Sequence, residues 1–112
     1  MALPIPNRLK DKKDFDAVFK KGKTVSGSFL FLKYLQNGKA RPRFGFVVPL
    51  KVAPSAVGRN RIRRILAEAI WPELLPKMPA CDTVVVATKG ISMESDLLKR
   101  DFLAVLRKAK II

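Results

Sequence analysis

One stretch of the chain, residues 57–66, combines dense positive charge with the spacing of an amphipathic helix. Small and aliphatic residues recur at i, i+3 and i+4 along one face: Gly58, Ile62, Ile65, Leu66 and Ala69. The outer side carries Asn60, Arg64 and Ala67, flanked by Arg61 and Arg63, with Arg59 near the border of the apolar face. Ser55 is a suitable N-cap and Pro72 cannot continue a helix. We therefore predict a helix over about residues 55–70 that buries aliphatic surface and presents a fan of guanidinium groups.

The charge around this helix has one sign. No Asp or Glu occurs from Ala17 to Ala67, and the chain has a net charge of +14 and a pI of about 10.6. A basic helix face is often only solvated surface, but soluble surfaces usually intersperse both signs. A stretch of this length that carries only positive charges indicates a polyanionic partner. The candidates are nucleic acid, a membrane surface and an acidic protein.

The composition excludes most catalytic sites that are built from side chains. The chain has no histidine and a single cysteine, Cys81, so it has no Ser-His or Cys-His pair and no thiolate metal cluster. Asp14 and Asp16 lie on different sides of a helix and do not make a paired carboxylate site. The 112 residues suit a single domain over 1–112, and no apolar run approaches the ~20 residues of a membrane span. We expect a cytoplasmic protein with no membrane association and no obligate protein partner.

Other segments have the periodicity of regular structure. Phe15, Val18 and Phe19 share one face of a predicted helix over about 12–20, which Asp11 precedes and Gly22 ends. Strands are predicted at 29–35, 43–50 and 82–88, and residues 1–10 are predicted to form an extended arm. Ser92 or Ser95 caps a last helix, whose apolar face is Leu98, Phe102, Val105, Leu106 and Ala109.

The order of these elements predicts one mixed sheet with helices packed on it. Residues 36–39, Gln-Asn-Gly-Lys, are a turn signal, so we predict a hairpin that joins the strands at 29–35 and 43–50. The arginine-rich helix separates the strands at 43–50 and 82–88. Because a helical crossover joins them, these two strands can be parallel neighbours.

Aromatic residues are concentrated in the first half of the chain: Phe15, Phe19, Phe29, Phe31, Tyr34, Phe44 and Phe46. Most of them are expected in the core, yet a short helix and a small sheet cannot easily bury them all. Aromatic rings that are exposed beside basic residues form stacking platforms for unpaired bases. We expect two to four of these rings to be accessible to solvent.

The motifs around the arginine-rich helix together carry a family resemblance. In chain order they are Asp14-Phe-x-x-Val-Phe-Lys20, Gly45-Phe-Val-Val, Lys51-Val, Ala56-Val, Arg59-Asn-Arg-Ile-Arg-Arg and Asp82-x-Val-Val-Val-Ala-x-Lys89. This series covers most of the chain and resembles the signature of the bacterial ribonuclease P protein subunit. The sequence departs from the family pattern at Leu50, where a second lysine is usual, and at Ala53-Pro54, where a tight glycine is usual.

The resemblance implies a fold, a function and a set of contact residues. The fold is a small α+β domain, an α/β sandwich of order αβββαβα (ribosomal protein S5 domain 2-like). It has a left-handed βαβ crossover, and a fourth strand would have to be split from the segments around 29–50. The function is that of the protein subunit of ribonuclease P, which removes the 5′ leader of precursor tRNA while the RNA subunit performs the hydrolysis with Mg2+. The residues implied for binding the RNA subunit are Arg59, Asn60, Arg61, Arg63 and Arg64.

The cleft for the single-stranded leader has four candidate residues, namely Phe15, Phe19, Phe31 and Lys51. A structural RNA-binding protein of the small ribosomal-protein type fits the charge and size equally well. It has no need of exposed phenylalanines for a mobile strand, so the aromatic cleft discriminates between the two. A DNA-binding regulator is a third interpretation, but no second helix is placed for a helix-turn-helix.

Overall fold

The computed structural model describes residues 3–38, 41–88, 91 and 94–112. Within these residues the elements are α1 (Lys12–Lys21), β1 (Lys23–Ser26), β2 (Leu30–Gln36), β3 (Arg43–Val47), α2 (Ala56–Ile70), β4 (Cys81–Ala87) and α3 (Ser95–Lys108). Short 3-10 turns occupy Ile5–Asn7 and Leu75–Lys77. The order αβββαβα that the resemblance implies is confirmed.

The four strands form one mixed sheet in the order β1-β2-β4-β3. Strand β4 pairs antiparallel with β2 and parallel with β3. The prediction that the strands on either side of the arginine-rich helix are parallel neighbours is therefore confirmed. A continuous β-branched run in β4, Thr83 to Val86, suits this central position because a central strand is covered on both faces.

Two predictions about the sheet are wrong. The turn at residues 36–39 does not close a hairpin, because β4 lies between β2 and β3. A turn signal reverses the chain but does not decide which strands pair. The apolar β4 buries the most surface when it lies at the centre of the sheet. The fourth strand is not split from residues 29–50 either. It is β1, an edge strand of four residues that pairs with β2, where the Gly27 N–H donates to the Leu30 carbonyl at 2.7 Å.

The first face of the sheet carries the larger core. Register places Leu30, Leu32, Phe44 and Val85 on this face, and α2 and α3 pack over it. Most of the predicted apolar residues of both helices are buried there: Ile62, Ile65, Leu66, Leu98, Phe102, Val105, Leu106 and Ala109. Ala69 is only half-buried against the same core. Phe29, which precedes β2, also packs against this core. Helix α3 begins at Ser95 with Glu94 as its N-cap, and Ser92 lies outside the described residues.

The second face of the sheet is covered by α1 and by Leu9 of the N-terminal arm. Leu9, Val18 and Val84 form a small buried cluster, against which Phe15, Leu35, Val47 and Val86 are half-buried. Helix α1 approaches closely at Gly45, where an added Cβ would overlap the Phe15 ring. A glycine is therefore required at this point of β3 to seat the helix on the sheet.

The N-terminal arm is packed against the domain. Leu3 and Leu9 are buried, the Leu9 N–H donates to the Phe44 carbonyl at 2.9 Å, and Arg8 forms a parallel bridge to Phe44. One prediction about α2 is wrong. Ala67 is predicted on the outer side of the helix, yet it is 3 % exposed and belongs to the same core as Leu3. A helical projection does not show that another segment covers that side.

No helix among the described residues is long and apolar enough to cross a lipid bilayer.

Candidate nucleic-acid interface

The start of α2 fixes the direction of its basic residues. The Ser55 side chain caps the helix, since its Oγ accepts a hydrogen bond from the Gly58 N–H at 3.0 Å. The capped helix begins only a few residues before the arginines, so the first turns present them together. Asn60, Arg61 and Arg64 are exposed, while Arg59 and Arg63 are half-buried. The structure thus brings all five predicted RNA-subunit contacts onto one helix.

Two of the four arginines have hydrogen bonds within the protein. Arg59 Nη1 donates to the carbonyls of Ala53 and Pro54 at 3.1 and 2.8 Å, which fastens the loop before α2. Arg63 Nη1 donates to Asn60 Oδ1 at 3.0 Å. Arg61 and Arg64 donate to none of the described residues. Their guanidinium groups are therefore the ones most available to phosphate oxygens.

The second face of the sheet contains an open row beside α1. Register aligns Ser26, Phe31, Val86 and Val47 across the four strands, and Phe31 is half-buried. Helix α1 covers the neighbouring row around Val84 but leaves this one partly accessible. We refer to the surface formed by this row and the adjoining side of α1 as the cleft.

The two phenylalanines of α1 differ in exposure. Phe15 is half-buried against Gly45, whereas Phe19 is 41 % exposed. The Lys33 ammonium lies 5.9 Å from the centre of the Phe19 ring and donates to the Phe19 carbonyl at 3.2 Å. Phe19 is thus an accessible ring beside a cation, the arrangement that stacks a base and attracts its phosphate.

Lys51 belongs to the loop that leaves β3. The loop turns at Pro49, whose carbonyl accepts from the N–H groups of Val52 and Ala53 at 3.0 and 3.2 Å. Leu50 and Lys51 are both exposed at this turn. Lys51 therefore comes from a different element than the phenylalanines, beyond the end of the strand that contributes Val47 to the open row.

The other predicted aromatic residues are mostly core. Phe44 is buried, and Phe29, Tyr34 and Phe46 are half-buried against the larger core. Lys33 was not among the predicted site residues. The alternation of side chains along β2 would have indicated Lys33, because it lies two residues after Phe31 and therefore on the same face.

Arg43 is a second residue that the sequence did not single out, and it ties α1 to the sheet. Arg43 donates to both carboxylate oxygens of Asp82 at 2.8 and 2.6 Å and lies 3.3 Å from an oxygen of Asp14. Asn37 Nδ2 donates to the same Asp82 carboxylate at 2.8 Å. The hydrogen bond with Asp82 raises the pKa of Arg43, so the guanidinium stays charged. This network holds the N-terminal end of α1 at the edge of the sheet.

Two further observations concern the acidic residues and the single cysteine. Among the described residues, no three His, Cys, Asp or Glu side chains group together as ligands for a metal ion. Burial, with a smaller contribution from Asp82, raises the pKa of the Cys81 thiol, which disfavours the nucleophilic thiolate.

Comparison with known proteins gives a consistent result. The family model described as ribonuclease P matches residues 3–110. A ribonuclease P protein component from Syntrophomonas wolfei is 35% identical over 103 residues, which cover 91% of this chain and 86% of the relative. The solved RNase P protein of Staphylococcus aureus superposes with a TM-score of 0.83 at 28% identity, covering 94% of this chain and 96% of that one. The Thermotoga maritima RNase P protein, solved with 1-(4-fluorophenyl)-2-thiourea, gives 0.80 at 26% identity, covering 90% and 98%.

Proposed function

The chain belongs to the ribonuclease P protein family, whose role is tRNA 5′ processing, and we propose that it binds two RNAs through opposite faces of its sheet. The arginine fan of α2 binds the RNA subunit. The cleft between α1 and the sheet binds the single-stranded 5′ leader of precursor tRNA. The observation that carries this proposal is the separation of the two surfaces, since α2 and α1 lie on different faces of the sheet.

The arginine fan suits a folded RNA because it combines charged guanidinium groups with a neutral amide. Guanidinium forks match phosphate oxygens and base edges, and the Asn60 amide can donate or accept. The cleft suits an unpaired strand, because its rings accept any base while Lys33 and Lys51 supply phosphate contacts. Such a cleft tolerates many leader sequences, as a general processing enzyme requires.

The hydrolysis is assigned to the RNA subunit, which would use Mg2+. Magnesium prefers carboxylate and phosphate oxygens in an octahedral shell. Asp14 and Asp82 do not fit such a site, because both face Arg43, and no three metal-ligating side chains group together among the described residues. No step of the reaction is therefore assigned to a metal on the protein. We place the protein in the cytoplasm, where a lone buried thiol remains reduced.

The arginine fan is tested by the salt dependence of binding to the RNA subunit. Arg61→Ala and Arg64→Ala should each lower affinity and flatten the slope of log Kd against log salt by about one unit for each phosphate that the variant no longer neutralises. Arg107→Ala removes the same charge from an exposed position on α3 and serves as the control. Slopes that match the control in both variants would contradict the assignment and favour a merely solvated face.

A further inference from the structure

A cavity of about 530 Å³ lies between the N-terminal arm, β3 and the outer side of α2. Its volume falls within the roughly 300–1,000 Å³ that is typical of small-ligand pockets. Leu3, Phe46 and Ala67 provide apolar lining, and Asn60, Arg63 and Arg64 provide polar lining. Three of the predicted RNA-contact residues therefore border an apolar recess rather than a flat surface.

The aromatic part of the lining is held in place. The Phe46 ring lies nearly parallel to Phe44, with centroids 6.1 Å apart, and meets Phe102 edge to face at 6.2 Å. Phe46 itself is half-buried, so part of its surface is accessible from the cavity. A ring fixed by two neighbours presents a stacking surface at little entropic cost.

The polar part of the lining has the donors and the charge that a nucleotide needs. The Asn60 carbonyl oxygen accepts from Arg63, while its amide nitrogen donates to no described residue and can serve a ring nitrogen or carbonyl. Arg64 likewise donates to no described residue. Arg8 fastens the arm, since its Nε donates to the Leu3 carbonyl at 2.6 Å. No acidic side chain among the described residues lines the cavity.

We propose that this cavity accepts one unpaired nucleobase of the RNA subunit. The base stacks in the apolar recess beside Phe46, the Asn60 amide contacts its edge, and Arg63 and Arg64 contact the flanking phosphates. The inference rests on the proposed function, because it takes the RNA subunit as the partner of α2. It adds that α2 reads a flipped-out base as well as backbone phosphates.

Filling the cavity without changing any charge tests this proposal. Ala67→Phe places a ring in the recess, and Ala104→Phe makes the same change at an exposed position on α3 as the control. Ala67→Phe should weaken RNA-subunit binding roughly tenfold or more, which corresponds to the loss of one stacked base. The salt slope should stay at the wild-type value. An affinity equal to that of the control would overturn the proposal.

A second measurement tests the nucleobase proposal if Ala67→Phe does not fold. NMR titration of the wild-type chain with adenosine 5′-monophosphate should shift the Phe46 and Ala67 signals, whereas ribose 5-phosphate should not. Asn60→Ala, which alters an exposed residue, should weaken the nucleotide shifts. Equal shifts with both probes would mean that only charge is recognised, which overturns the base site. If the wild type fails to bind the RNA subunit, the proposed function fails, and absence of these shifts separately rejects the base site.

Discussion

The two faces of the sheet differ in how completely they are covered. Over the first face, α2 and α3 bury a continuous core in which Phe102, Leu30 and Leu32 are essentially inaccessible. Over the second face, one helix, α1, and Leu9 of the N-terminal arm bury a small cluster with Val84 of β4. The same four strands therefore support one face with a large core and one face with a small core that is partly open.

This difference shows how a small domain separates stability from binding. Apolar burial on the first face supplies most of the stabilising free energy, since that energy scales with the area removed from water. The second face can then leave rings accessible without unfolding the protein. Arginines on the far side of α2 likewise remain outside the core, because the buried face of that helix is aliphatic.

The largest expected effect compares equivalent truncations on the two faces. Phe102→Ala removes a ring with 0 % exposure that contacts both Phe44 and Phe46, and it should cost about 3–5 kcal/mol of unfolding free energy. Phe31→Ala, on the open row, should cost clearly less because its ring is only half-buried. Urea unfolding of both variants measures the difference. Equal losses of unfolding free energy would remove the distinction between the two faces.

The next largest loss of stability is expected from breaking the ion pairs of Arg43, which hold α1 on the sheet. Arg43→Met leaves the Asp82 carboxylate, which is 6 % exposed, without its cationic partner, and breaking a buried ion pair on one side costs roughly 3 kcal/mol or more. Asp14→Asn removes only the more exposed contact at 3.3 Å and should cost less than about 1 kcal/mol. Thermal melts of the two variants provide the measurement, and a larger loss for Asp14→Asn would contradict this ranking.

The parts of the fold that follow from local periodicity were predictable. The i, i+3, i+4 spacing in α2 and α3 indicates which of their residues are buried, and the β-branched run at β4 indicates a covered strand. Strand pairing was not predictable in the same way. Asn37-Gly38 gives a turn, but whether β3 lies beside β2 or beyond β4 depends on contacts between distant segments.

The candidate site, like the fold, was only partly predictable from the sequence. The sequence placed the arginines of α2 and the phenylalanines of α1 on definite helix faces. It could not show that Leu3 and Ala67 belong to one core, nor that Arg43 meets Asp82 across 39 residues of sequence. It also could not show that Arg59 fastens the loop before α2. Each of these facts depends on tertiary packing, which a single-helix projection does not contain.

The smallest expected effect on stability belongs to Phe19, and it is also the sharpest test of the open face. Phe19→Ala should leave the melting transition nearly unchanged because the ring is 41 % exposed. If the ring stacks on a leader base, its loss should weaken binding of precursor tRNA by about 1–3 kcal/mol. Binding of mature tRNA should hardly change, since it lacks the leader. The quantity to measure is the ratio of the two affinities in the complex with the RNA subunit.

Leu97→Ala is the matched control for this measurement, because Leu97 is an apolar residue with 40 % exposure on α3. Both variants lose a comparable exposed side chain, so a general surface effect would move both ratios alike. A fall in the ratio for Phe19→Ala alone would assign the leader to the α1 side of the sheet. If both variants melt normally and neither ratio moves, the open face does not bind the leader, and the structural RNA-binding interpretation gains support.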